Sequence, residues 1–317
     1  LFRSTLGAAT VNPGATLILG AGAATPITLS SISGTSGVKS NITINTTDVV
    51  TVGGAIGTNI GNLTLTNSGG ITFNAAVGSS ADRITNIAIT SSTGTIEFTN
   101  DVYAGAMSNA GGSAEIKFYG STTDITSAVT LSTTGAVYYG NATSDVLTFT
   151  RGITHDTGNN VLLGTFTAAN PSTCTSGTTC SFNLGGTTTF LSSNSVFDFG
   201  ASSITLNNVL LGDGVTLYLG GGSSGSITVA SITGTNGGAA SNVVINTTGV
   251  VSITGAIGTD IGTVTITNSG GTTFGGTVTA STVTLTNTTG TIAFNDVLTI
   301  NTLNTATQAY NVAINTS

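Results

Sequence analysis

The stretch NITINTTDVVTVGGAIGTNIGNLTLTNSGGITF at Asn41–Phe73 returns as NVVINTTGVVSITGAIGTDIGTVTITNSGGTTF at Asn242–Phe274. Around it, SISGTSG at Ser31–Gly37 returns as SITGTNG at Ser231–Gly237, and STLGAATVNPGATLIL from Ser4 lines up with ITLNNVLLGDGVTLYL from Ile204. Over Ser31–Val77 about six positions in ten are identical to the second copy. The 317 residues thus hold roughly one and a half copies of one unit. Long tandem repetition marks a stacked architecture rather than a globule built around one active site.

A shorter repeat lies inside the long one. NITINTTDVVTV from Asn41, NLTLTNSGGITF from Asn62, NIAITSSTGTIEF from Asn86 and AVTLSTTGAVYY from Ala128 share one pattern with NVVINTTGVVSI from Asn242, TVTITNSGGTTF from Thr263 and TVTLTNTTGTIAF from Thr282. Each reads as strand, tight turn, strand. Ile, Leu and Val alternate with Thr and Asn at period 2, which turns the aliphatics inward and the polar residues outward. Branched side chains suit a pleated surface, and Gly and Asn supply the turns. Strong helix formers are scarce, so the chain is expected to be all-β. The period near 20 residues predicts a parallel β-solenoid with one coil per short repeat. Tandem β-sandwich domains are the alternative. The expected organisation is a first solenoid copy over 1–140, an irregular or loop-bearing insert over 141–200, and an incomplete second copy over 201–317.

Composition narrows the function. Only 5% of residues are charged, the net charge is −7 and the sequence pI is near 4.1. Five Lys and Arg in the whole chain cannot form the patch that nucleic acid requires, nor a basic membrane-surface helix. No apolar run approaches a membrane-spanning length. Hydrophobic residues are 38%, enough to bury a core, so the chain is not a linker despite its Gly and Ser. It begins with Leu1 rather than Met and stops partway through a repeat, which reads as a processed chain or a piece of a larger one.

Cys174 and Cys180 are the only cysteines, and one His accompanies them. Zinc wants four ligands, so a short disulfide closing a surface loop is the expected role. A disulfide places the chain in an oxidising, extracytoplasmic setting.

GAIGTNIGNLTLTNSGGITF and its copy GAIGTDIGTVTITNSGGTTF resemble the passenger regions of bacterial autotransporter surface antigens and filamentous-haemagglutinin-type adhesins. The resemblance covers about three quarters of the chain, leaving out 141–201. It implies a right-handed β-helix at the cell surface or secreted from it, serving adhesion, assembly or coat formation, with no shared catalytic residues. Surface-layer and filament proteins share the composition.

Candidate chemistry is sparse. Glycoside hydrolysis needs two carboxylates facing one sugar. Glu97 and Asp101 are the closest pair, with Asp124 as a third acid, but the second copy keeps Asp296 and has Ala293 in place of Glu97. Glu97 is therefore expected on a solvent-facing strand, and Asp101 and Asp296 in turns. His155, beside Asp156, Asn159 and Asn160, lacks the spacing of a calcium loop and reads as a surface turn. No phosphate-binding glycine loop is present. Asn-x-Ser/Thr triplets are no more frequent than chance in a chain this rich in Ser and Thr. TVTIT at Thr263–Thr267 and TVTLT at Thr282–Thr286 would project parallel rows of Thr if the coils stack, as on ice-binding faces. The expectation is thus a non-enzymatic extracellular structural protein with no cofactor or metal, self-associating into a polymer or array. A glycan or host-surface receptor is a further candidate partner. A carbohydrate-binding or carbohydrate-active β-helix is the alternative.

Overall fold

A computed structural model describes residues 4–163, 165–166, 180–308 and 310–315. Among the described residues there is no helix, and the strand ladders run parallel. Antiparallel sandwiches are thereby set aside. The chain divides into two compact units, Leu1–Asn159 and Asn160–Ser317. Each is a parallel β-solenoid with about 22 residues to the coil, close to the period read from the sequence.

In the first unit every coil visits three faces. The first face stacks Ser4–Leu6, Ile27–Leu29, Val49–Val52, Gly70–Phe73, Ile96–Phe98, Ile116–Phe118 and Val137–Tyr139. The second carries Ala9–Val11 and Ile32–Gly34, narrows to single bridges at Ile56 and Val77, and widens again through Thr122–Ile125 and Val146–Phe149. The third stacks Thr16–Ala23, Ser40–Thr46, Ile60–Asn67 and Ile84–Ile89, then Val129–Leu131 and Gly152–Thr154. The strand Val102–Asn109 bends from the second face into the third.

Period-2 alternation produces this core directly. In Ser40–Thr46 buried and half-buried residues alternate without a break. Ile44 stacks on Leu65 and Leu65 on Ile89, so identical inward positions form aliphatic columns. On the first face the column becomes aromatic. Phe73, Phe98, Phe118 and Tyr139 lie one above another, with ring centroids 5.0, 5.5 and 6.3 Å apart and planes within 19°. Full burial of each such ring contributes about 1.5–3 kcal/mol, and the offset stacking adds about 0.5–1.5 kcal/mol per pair.

The second unit has the same plan. Its first face includes Val251–Ile253, Thr272–Phe274, Thr291–Phe294 and Asn311–Ile314. Its third includes Ser195–Phe197, Thr216–Leu219, Ser241–Asn246 and Ile261–Asn268. Two strands, Val278–Leu285 and Leu298–Thr305, run through the second and third faces without interruption. Phe274 stacks on Phe294 at 4.8 Å, as Phe73 does on Phe98 in the first unit.

Parallel strands stack at ~4.8 Å, and the corner between third and first faces has no room to spare. Buried hydroxyls bond across it, Ser68 to Ser92 at 2.8 Å and Ser269 to Thr288 at 2.6 Å. Glycines follow these residues within two positions. A Cβ on Gly94 would run into the carbonyl of Gly69, and one on Gly290 into that of Gly270.

In the stretch 141–200, expected as an irregular or loop-bearing insert, the described residues include the strands Val146–Phe149 and Gly152–Thr154 in the first unit and Asn160–Leu162, Ser181–Leu191 and Ser195–Phe197 in the second, while 167–179 lie outside the described residues. The boundary between units falls within this stretch, after Asn159.

Candidate functional site

The chemistry-bearing side chains gather in the first unit. All five Lys and Arg lie within residues 1–151, and residues 160–317 contain no Lys, Arg or His. The repeat copies explain part of this. Between Val77 and the third-face strand Ile84–Ile89, the first copy is five residues longer than the second, where Val278–Leu285 continues as one strand. The extra loop, 78–83, includes Asp82 and Arg83.

Gly78 turns the chain there with φ +74°. Ser79 N–H donates to the Asp82 carbonyl at 3.1 Å and Asp82 N–H to Ser79 Oγ at 3.0 Å, closing the loop. The two side chains then point opposite ways along the stack. Asp82 Oδ1 lies 2.6 Å from Lys39 Nζ, and its Oδ2 accepts the Asn59 N–H at 2.7 Å. Lys39 also donates to the Arg83 carbonyl at 2.6 Å. Arg83 Nη2 meets Asp124 Oδ2 at 2.5 Å, and its Nη1 donates to the Asp124 carbonyl at 2.8 Å. Its guanidinium sits 5.7 Å from the centre of the Tyr103 ring. The Lys39 hydrogen bond, followed by the Asn59 N–H, holds the Asp82 carboxyl below its ordinary pKa.

A second cluster occupies the outer side of the first face. Glu97, Lys117 and Tyr138 follow one another in register. Lys117 pairs with Glu115 at 3.2 Å and lies 5.1 Å from the centre of the Tyr138 ring. Tyr119 meets Tyr138 edge to face, centroids 6.3 Å apart. Burial disfavours the Lys117 charge, but the Glu115 hydrogen bond and its carboxylate charge outweigh that and raise the pKa. Burial raises that of Tyr119.

Glu97, Asp101 and Asp124 do not converge. Glu97 is on the outer side of the first face, as the alternation predicted. Asp101 lies at the corner before Val102–Asn109, where its Oδ1 accepts Ser121 Oγ–H and Thr122 N–H, both at 2.9 Å. Asp124 is on the second face, committed to Arg83. Asp296 sits in a turn and accepts the Val297 N–H at 2.7 Å.

His155 corrects the surface reading. It is fully buried, with Nε2 3.1 Å from the Thr133 carbonyl oxygen. Thr157 Oγ1 donates to the same carbonyl at 2.5 Å. Position 155 falls where an inward-facing side chain closes the coil corner, a fact that local turn composition conceals. Among the described residues no three His, Cys, Asp or Glu side chains group as metal ligands. Cys180 is buried and disulfide-bonded, while Cys174 lies outside the described residues. The Thr rows do stack, Thr263 on Thr282 on Thr302 and Thr265 on Thr284, but Asn242 and Val244 precede them and Asn304 follows.

The clusters around Arg83 and Lys117 were not found by sequence reasoning. The available signals were the five extra residues of the first copy and the confinement of every basic residue to the first half. No family model, curated protein or solved structure matches the chain.

Proposed function

We propose that this chain is a non-enzymatic structural segment of an extracellular, cell-surface protein, of the kind seen in autotransporter passengers and filamentous haemagglutinins. It serves as an adhesin segment or as the subunit of a filament or coat, and self-association into a polymer or array is its expected partnership. One observation carries this reading: the polar chemistry is spent on holding coils together. Asp82, Asp101 and Asp124 each bond a residue from another coil, and Ser68, Thr133 and Thr247 bond across corners. The disulfide-bonded Cys180 fits an oxidising compartment.

Electron microscopy of native, unheated material tests the reading. Filaments, sheets or rods bearing this chain on the cell surface are expected. A purified chain that releases reducing ends from polysaccharide would overturn it.

One feature favours the second, carbohydrate-binding reading: Tyr119 and Tyr138 stand on the outer surface beside Glu97, Glu115 and Lys117. Glycan binding lost on Tyr138→Ala, with unfolding unchanged, would establish it.

A further inference from the structure

In a solenoid each coil touches only its neighbours, so stability is close to a sum of nearest-neighbour terms and coils peel from an end one at a time. The ladders of both units obey this rule: Ser40–Thr46 pairs with Ile60–Asn67, and Ile60–Asn67 with Ile84–Ile89. The loop at 78–83 does not. Lys39 belongs to the coil of Ser40–Thr46 and Asp82 to the coil of Ile84–Ile89, with Ile60–Asn67 between them. Asn59, in that intervening coil, bonds the same carboxylate. Arg83 reaches Asp124 in the coil of Thr122–Ile125 across the coil of Val102–Asn109, whose Tyr103 ring lies beside the guanidinium. Two adjacent residues thereby connect five consecutive coils.

We propose that Asp82 and Arg83 act as an axial clasp that makes the five coils between Ser40 and Ile125 open as one cooperative unit. With either end pair closed, the coil it spans cannot detach without breaking a contact two coils away. The second unit lacks the loop and has no Lys or Arg, so its coils open progressively. The clasp confines local opening in the half of the chain that carries the outward Tyr, Lys and Glu side chains, and leaves the other half to fray.

Native-state hydrogen exchange on the full chain, followed by mass spectrometry at increasing sub-denaturing denaturant, reads this directly. In the wild type, peptides covering 60–67, 84–89, 102–109 and 122–125 should exchange through one common opening, while peptides across 203–305 show graded openings. Arg83→Ala should speed exchange in 122–125 by roughly tenfold, the loss of one charge-assisted hydrogen-bonded pair partly screened by water. It should also separate 122–125 from 60–67, which Lys39–Asp82 still holds. Arg83→Lys keeps the charge, loses the two-pronged contact and should fall between. Graded exchange across the five wild-type coils would overturn the proposal, as would an Arg83→Ala chain in which they still open together. If Arg83→Ala fails to fold, the wild type at high salt replaces it. Screening should split the common opening in the first unit and leave the second unit's pattern unchanged; an unsplit opening at high salt would overturn the proposal equally.

Discussion

Asn59 and Asp260 hold the same left-handed backbone conformation, φ +59° in each, at the same corner of the two repeat copies, yet only one side chain is satisfied there. Asn59 Nδ2 donates to the Gly34 carbonyl at 3.4 Å. At Asp260 the equivalent atom is an oxygen, Oδ2, buried with no hydrogen-bond partner. Gly234 stands against the Asp260 backbone as Gly34 does against that of Asn59. The corner is built for a donor and receives an acceptor.

Asp260→Asn should therefore stabilise the second unit. An unsatisfied buried polar atom costs about 1–3 kcal/mol, so thermal unfolding of that unit should move up by a few degrees. Asn59→Asp should move the first unit the other way. Calorimetry of both variants checks the pair, and a lower midpoint for Asp260→Asn would refute the account of the corner.

Thr272 offers a second case. It sits in the inward column between Val251 and Ile292, fully buried, with Oγ1 unpartnered. Ile71 fills the same place in the first copy, between Val50 and Ile96. Thr272→Val removes the orphan hydroxyl at nearly constant volume and should add about 1–2 kcal/mol. Thr123, between Val102 and Leu147 with the same defect, should respond alike. Denaturant midpoints measure both.

The ion pairs set the pH response of the first unit. The folded Asp82 carboxyl titrates below its ordinary value of 3.8. Its stabilisation is thus present above pH 3.8 and lost as pH falls through the lower, folded value. Lys117 is raised above 10.5, so its contribution is present below pH 10.5 and lost as pH climbs through the folded value. Both side chains are partly exposed, so the effects are small. Stability measured against pH should lose its acid step in Asp82→Asn, while Lys117→Met should shrink the alkaline step without abolishing it, because the half-buried Tyr119 phenol, raised above 10.0, contributes to the same step.

Among the described Lys and Arg residues, trypsin should find one site first. Lys39, Arg83 and Lys117 are tied into ion pairs. Arg151 is exposed in a turn, with no ion pair among the described residues, and precedes Gly152. Limited digestion of the folded chain should cut after Arg151 before it cuts after Lys39 or Lys117. Early cleavage at Lys39 would mean that the loop at 78–83 does not hold it.

The solenoid was legible in the sequence because period-2 alternation and coil length are both local. Ile42, Ile44, Leu63 and Leu65 declare their faces within a few residues, and the copy at Asn242 repeats the statement. Glu97, Asp101 and Asp296 were likewise readable from strand and turn context. Arg83 and Asp124 were not, since their meeting depends on how many residues each intervening coil contains. A slip of one residue would send the side chain to the other side of the sheet. His155 was hidden for a related reason: polar neighbours marked a turn, and only the stacking shows which turn residue faces inward. In 141–200 strands persisted where the short pattern faded, because Val146–Phe149 and Ser195–Phe197 keep the alternation without the Asn and Gly turn signature.

The packed glycine corner also decides where such a chain can grow. At Gly69–Gly94 and Gly270–Gly290 even one methyl group meets a backbone carbonyl, so length cannot be added there without prising coils apart. The corner between second and third faces has already accepted five residues in one copy and none in the other. New segments, whether acquired by drift or grafted as an epitope or tag, belong at that corner, and at residues 279–281 the second copy still offers an unused slot.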